Sequence, residues 1–248
     1  MNDSDYQTMS SNKAATVIRI TLLFLIIGAI AALMILGSPK AENLSEIWDE
    51  RTILGNKDAK HHYVMTTDMM CPYCDYFSRA LMSNQAEFEQ WLKDNDVVYE
   101  MRITDFLNEF GEVGVKSEQA AEATLCATEE NKFWDYYHNA MTSLNDDYHS
   151  KGIGNAKGAP HIEGMTADYW LEIGYEVGLG DTFKDCYKEH KMLDKVRENT
   201  AKTAKIMQKN GGSGMPYFQF EKVQTSGFDN SWGWDEVKSY YLDAGLAK

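Results

Sequence analysis

The chain has 248 residues, 44% hydrophobic and 12% aromatic, enough for one good-sized domain with an appendage and too apolar for a disordered protein. Its 24 Lys and Arg stand against 38 Asp and Glu, a formal net charge of −14. No Lys/Arg-rich run or basic stripe occurs, so the sequence argues for an acidic solvated surface and against nucleic acid as a partner.

In chain order, residues 1–16 read as a short polar tail. Ile20 to Gly37 holds no charged residue, and Leu22, Leu23, Phe24, Leu25, Ile26 and Ile27 open a run that spans roughly 27 Å as a helix. Because the run is apolar on every face it does not suit a core helix. Its exit, Ser38-Pro39-Lys40-Ala41, lacks the small-x-small pattern of a cleavage site, so residues 17–37 are expected to be an uncleaved transmembrane anchor. Lys13 and Arg19 on one flank are matched by Lys40 and Arg51 on the other, so charge hardly sets orientation; a cytoplasmic tail follows from thiol chemistry that belongs outside the cytosol. Residues 38–55 read as a tether and lead-in, with some order around Trp48 to Leu54, and 56–248 as the folded domain.

Tyr63, Met65 and Thr67 alternate with Val64 and Thr66 as a strand ending at Asp68. Directly after it comes Cys71-Pro72-Tyr73-Cys74, and then Phe77, Leu81, Phe88 and Trp91 at near-helical spacing. A thiol at the first turn of a helix faces unpaired N–H groups and the positive end of the helix dipole, which favour thiolate. Cys71 is therefore expected to be the exposed, acidic nucleophile and Cys74, one turn inside, the resolving thiol. Pro72 suits the first helical turn, where its missing N–H goes unneeded. The same spacing supplies half of many zinc sites, but Cys126 and Cys186 stand alone and complete none, so redox chemistry is preferred and no metal is expected.

Val97, Tyr99, Met101 and Ile103 alternate as a second strand, giving a strand-helix-strand unit and hence a parallel pair. One alanine-rich helical segment from Ser117 to Met141, a Gly-rich polar stretch from Asn145 to Gly164, a helix over Thr166 to Val177 and another over Asp181 to Met207 follow. Beyond Gly211-Gly212-Ser213-Gly214, Met215-Pro216 opens a strand with Phe218 and Phe220 on one face. After Ser226-Gly227, Trp234, Val237, Tyr241 and Leu242 pattern a closing helix. Met69, Met70, Tyr73, Phe77 and Met215 are expected to ring the cysteine pair with adaptable apolar surface. Asp68 reads chiefly as a loop-capping carboxylate, with tuning of the cysteines as the rival. His61 and His62 point to opposite faces, and His138, His149 and His161 have no metal-ligand spacing.

The redox strand-helix unit, the helical interruption and the Gly-x-Pro-aromatic strand together resemble the DsbA-like branch of the thioredoxin superfamily, from about Ile53 to the C-terminus. Ile53-Leu54-Gly55, Asp58-Ala59, Asp68 ahead of the motif, Cys126-Ala127, Lys132-Phe133-Trp134 and Ser226-Gly227 carry the likeness in order. The resemblance implies an α/β thioredoxin fold, here preceded by one transmembrane helix, with a helical domain inserted over about residues 106–190. It implies Cys71, Cys74 and a cis Pro216 as the catalytic set and Pro72, Tyr73 and Met215 as substrate-contacting residues. Met215 stands where relatives usually carry Val or Thr. Cys126 and Cys186 are either small core residues or, as in some relatives, a structural disulfide.

The function so implied needs no cofactor. It is a membrane-anchored thiol-disulfide oxidoreductase, outside the cytosol, that introduces disulfides into reduced exported polypeptides and is reoxidised by a membrane partner of the DsbB or vitamin K epoxide reductase type. A reductase or isomerase of the same fold is the first alternative. A non-catalytic binding module or metal chaperone using the thiolates as soft ligands is the second.

Overall fold

The computed structural model describes residues 46–109, 114–153, 162, 165–221 and 223–246. The tail and anchor expected over 1–37 lie outside the described residues, as does half of the Gly-rich stretch from Asn145 to Gly164. Among the described residues no helix is long and apolar enough to cross a membrane.

Five strands form one sheet: β1 (Ile53–Leu54), β2 (His61–Asp68), β3 (Val97–Thr104), β4 (Tyr217–Phe220) and β5 (Val223–Ser226), in the order β1-β3-β2-β4-β5. β2 and β3 are parallel, from His61 opposite Val97 to Asp68 opposite Thr104, while β1, β4 and β5 pair antiparallel with their neighbours. Every residue of β3 is buried, because helices cover both faces of the sheet. β1 already belongs to the sheet ahead of His61, and Gly55 turns the chain out of it at φ +89°. A Cβ at Gly55 would lie 2.7 Å from the Val97 carbonyl oxygen, so only glycine fits this turn.

The crossover between β2 and β3 is two helices rather than one run, α1 (Pro72–Met82) and α2 (Gln85–Asp94). The break falls at Ser83-Asn84, where the Asn84 side chain donates to the Ala80 carbonyl and replaces the next helical bond. α1 turns Phe77 onto the sheet, 4.7 Å between ring centroids from Phe218, which in turn meets Tyr241 at 4.4 Å.

After β3 come α3 (Gly114–Cys126), α4 (Phe133–Asp147), α5 (Ala167–Glu176), α6 (Asp181–Lys188) and α7 (Leu193–Asn210). The alanine-rich segment is thus split at Asn131 and the later one at His190, both at positive φ, which ends a helix without glycine. Cys126 and Cys186 are bonded to each other, 5.7 Å between Cα atoms, and tie α3 to α6. A closing helix, α8, runs through Trp234–Glu236, a π-helical stretch Val237–Asp243 and Ala244–Leu246.

The lead-in is fastened to β3 by a buried polar clasp. Glu100, fully buried, accepts from the Trp48 amide at 2.7 Å, from Arg102 at 2.8 Å and from His62 at 3.0 Å, and Arg102 lies 3.7 Å over the Trp48 ring. Burial alone would raise the Glu100 carboxyl; the bond from His62 and the Arg102 charge hold it below its ordinary range.

Candidate active site

Cys71 caps α1 in extended conformation (φ −87°), Pro72 is the first helical residue, and the Asp75 amide donates to the Cys71 carbonyl at 3.1 Å. The chain enters this turn at a fixed angle because Asp68 holds it. One Asp68 oxygen accepts from the Met70 amide at 2.8 Å, and the other from the Leu107 amide at 2.8 Å and the Ser117 hydroxyl. Asp68 therefore caps the loop, joins it to the first helix of the insertion, and is pushed up to about 6 by burial against the pull of those donors.

Opposite the motif, the Met215-Pro216 peptide is cis, and the Met215 carbonyl lies 3.6 Å from Cys71 Sγ. Cys71, Cys74, Met215 and Pro216 are thus brought together from α1 and the start of β4. Cys71 and Cys74 are both free thiols. Cys74 has no exposed surface, and burial first, then the Cys71 sulfur beside it, push its thiol well above its ordinary value.

Two expectations change here. Cys71 is not an exposed side chain: it keeps only 5% of its surface, because Met215 and the cavity rim close over it. Met69, Met70 and Phe77 do not ring the site either; they are fully buried beneath it, where the strand end and the inner face of α1 direct them into the core. Tyr73, half exposed, and Met215 remain as apolar surface around the pair.

The site opens into a cavity of about 450 Å³ whose wall includes Cys71, Tyr76, Phe106, Ile153, Met215 and His149. Phe106 and Ile153 come from the insertion, so both layers build the wall. Sequence reasoning missed His149, which it weighed only as a metal ligand, and Asp75, whose Oδ2 lies 3.4 Å from His149 Nδ1. Nothing in their sequence spacing links these two residues. Among the described residues no group of three or more His, Cys, Asp or Glu side chains is placed to hold a metal ion.

Residues 49–211, more than half of the chain, match the family model described as thioredoxin. No curated protein sequence matches. Among solved structures the chain is similar to a thioredoxin-like oxidoreductase from Silicibacter pomeroyi DSS-3, at 22% identity and TM-score 0.55, covering 84% of this chain and 100% of that one. It is also similar to MdbA, a thiol-disulfide oxidoreductase from Corynebacterium diphtheriae, at 18% identity and TM-score 0.51, covering 66% of this chain and 76% of that one. A third is alpha-DsbA1 from Wolbachia pipientis, at 14% identity and TM-score 0.55, covering 79% of this chain and 90% of that one. The chain therefore belongs to the thioredoxin family and shares the fold of these three structures, alpha-DsbA1 among them.

Proposed function

We propose that this protein is a membrane-anchored thiol-disulfide oxidoreductase working outside the cytosol, passing the Cys71–Cys74 disulfide to reduced client polypeptides. The observation that carries the reading is the placement of Cys71 Sγ at a helix start, 3.6 Å from the Met215 carbonyl, at the wall of an open cavity. A client thiolate attacks Cys71, the sulfur that reaches the cavity, and forms a mixed disulfide; a second client thiol then resolves it. Tyr73, Pro72 and Met215 bear on the client, whose extended backbone can pair with the Met215 peptide beside Cys71. The charge-free run at 20–37 supplies the anchor, and the Cys126–Cys186 bond fits an oxidising compartment. Recycling calls for a membrane oxidant of the DsbB or vitamin K epoxide reductase type.

In the full chain, Cys71→Ser should abolish exchange with a reduced dithiol peptide, and Cys74→Ser should accumulate a peptide-linked form visible on non-reducing gels. Trapping through Cys74 instead would overturn the assignment. An equilibrium potential near that of a strong oxidant supports the donating direction, and one near about −270 mV, the value of thioredoxin, points to a reductase.

A further inference from the structure

Phe106 belongs to two walls. It lines the catalytic cavity, and it also lines a second groove of about 520 Å³ between α3 and α7. The short 3-10 helix Phe106–Glu109 that separates the two is fastened to the cysteine loop, because the Leu107 amide donates to Asp68. Ala201 and Ala204, three residues apart and both exposed on α7, give the groove a slim apolar floor beside Phe106. Its polar groups are of one kind. Asp105, which keeps only 6% of its surface, accepts from the Thr200 hydroxyl through one oxygen, and its amide donates back to that hydroxyl at 3.0 Å. Arg197 is already committed: its Nε and Nη2 both donate to one Glu118 oxygen, at 3.1 and 3.0 Å. Each carboxylate is left with an oxygen to spare, and Asn108 Oδ1 is buried with no hydrogen-bond partner, which is unfavourable unless something else donates to it. What complements spare acceptors and a surplus of negative charge over an apolar floor is a cationic head on a methylene stem, the chemistry of a lysine or arginine side chain.

We propose that this groove is a second client-recognition site, which takes a basic side chain of the polypeptide whose cysteine reacts at Cys71. The proposal deepens the exchange reading above and rests on it. Continuity names the occupant: a client paired with the Met215 peptide in the catalytic cavity has only to cross Phe106 for a residue near its cysteine to enter the groove. The stem then lies on Phe106, Ala201 and Ala204, and the head group is shared by Asp105, Glu118 and Asn108. Such a site adds position to a preference that the chain already has at long range. A net charge of −14 draws basic polypeptides from any direction, whereas the groove rewards a positive charge at one place in the client sequence.

The test is a set of reduced two-cysteine peptides of one length, carrying Lys or Gln in turn at each position flanking the reacting cysteine, mixed with oxidised full-length protein and followed by stopped flow. At one position, and not at its neighbours, the Lys peptide should form the mixed disulfide about fivefold faster than the Gln peptide. The double variant Asp105→Asn with Glu118→Gln removes both carboxylates and leaves Arg197, so the same position should then disfavour Lys. Ala204→Phe fills the groove from an exposed site on α7 and should bring the ratio at that position down to that of its neighbours. Each variant is read as a Lys-to-Gln ratio, so a general loss of rate does not enter. A ratio near one at every position overturns the proposal and leaves the exchange reading intact, as does a preference for Lys of equal size at all positions, which is long-range attraction alone. So does a local preference that survives in both variants. Wild-type protein that exchanges with none of the peptides overturns both readings.

Discussion

Cys71 and Cys74 share one turn of α1 yet meet different surroundings, and the buried Asp68 beneath them sets a measurable signature. Its folded pKa, about 6, lies above the ordinary carboxylate value, so the folded state holds its proton more tightly than the unfolded state. The sign follows: stability contributed by protonated Asp68 is complete below about pH 4, is lost as pH rises through about 6, and amounts to about 3 kcal/mol. In denaturant unfolding, the wild-type minus Asp68→Asn difference should fall by nearly that amount between about pH 3 and pH 7, most of it between about pH 4 and 6. A difference flat across this range would mean that the carboxylate is charged throughout. Asp68 was legible as a loop cap because a carboxylate at a strand end before a turn has few other local uses. The Asp75–His149 contact was not, because its partners come from separate layers and only packing brings them together.

At the scale of elements, alternation exposed both long strands, since a period of two survives wherever a strand meets helices. Helix ends were harder to place. Asn131 and His190 stop helices by adopting positive φ, a state that glycine advertises in a sequence and these residues do not. The insertion carries a cross-link between α3 and α6 across a sequence separation of 60. On loop-closure entropy, replacing Cys126 and Cys186 together by Ala should lower unfolding free energy by about 4 kcal/mol. A loss below about 1 kcal/mol would show that packing already holds α6 in place without the bond, as where its Phe183 meets Tyr136 of α4 at 5.4 Å.

For the molecule as a whole, the acidic surface and the thioredoxin core were readable from composition and motif order, whereas the fastening of the lead-in was not. Glu100 and Arg102 look in sequence like the solvent face of an ordinary strand, but Trp48 covers them and turns that face inward. Trp48→Ala should leave peptide exchange within about twofold of wild type, since Trp48, His62, Glu100 and Arg102 do not line the cavity. It should also speed amide hydrogen exchange across residues 46–54, as read by mass spectrometry; unchanged protection there would mean that β1 pairing alone holds the segment. The sheet order adds a mechanical consequence. The lead-in enters on the β1–β3 side, and β2 separates it from β4, which begins beside Pro216. A pull applied at Glu46 would be borne by β3 and its clasp, so that it could reach the cysteine loop only through β2, the strand paired along its whole length with β3.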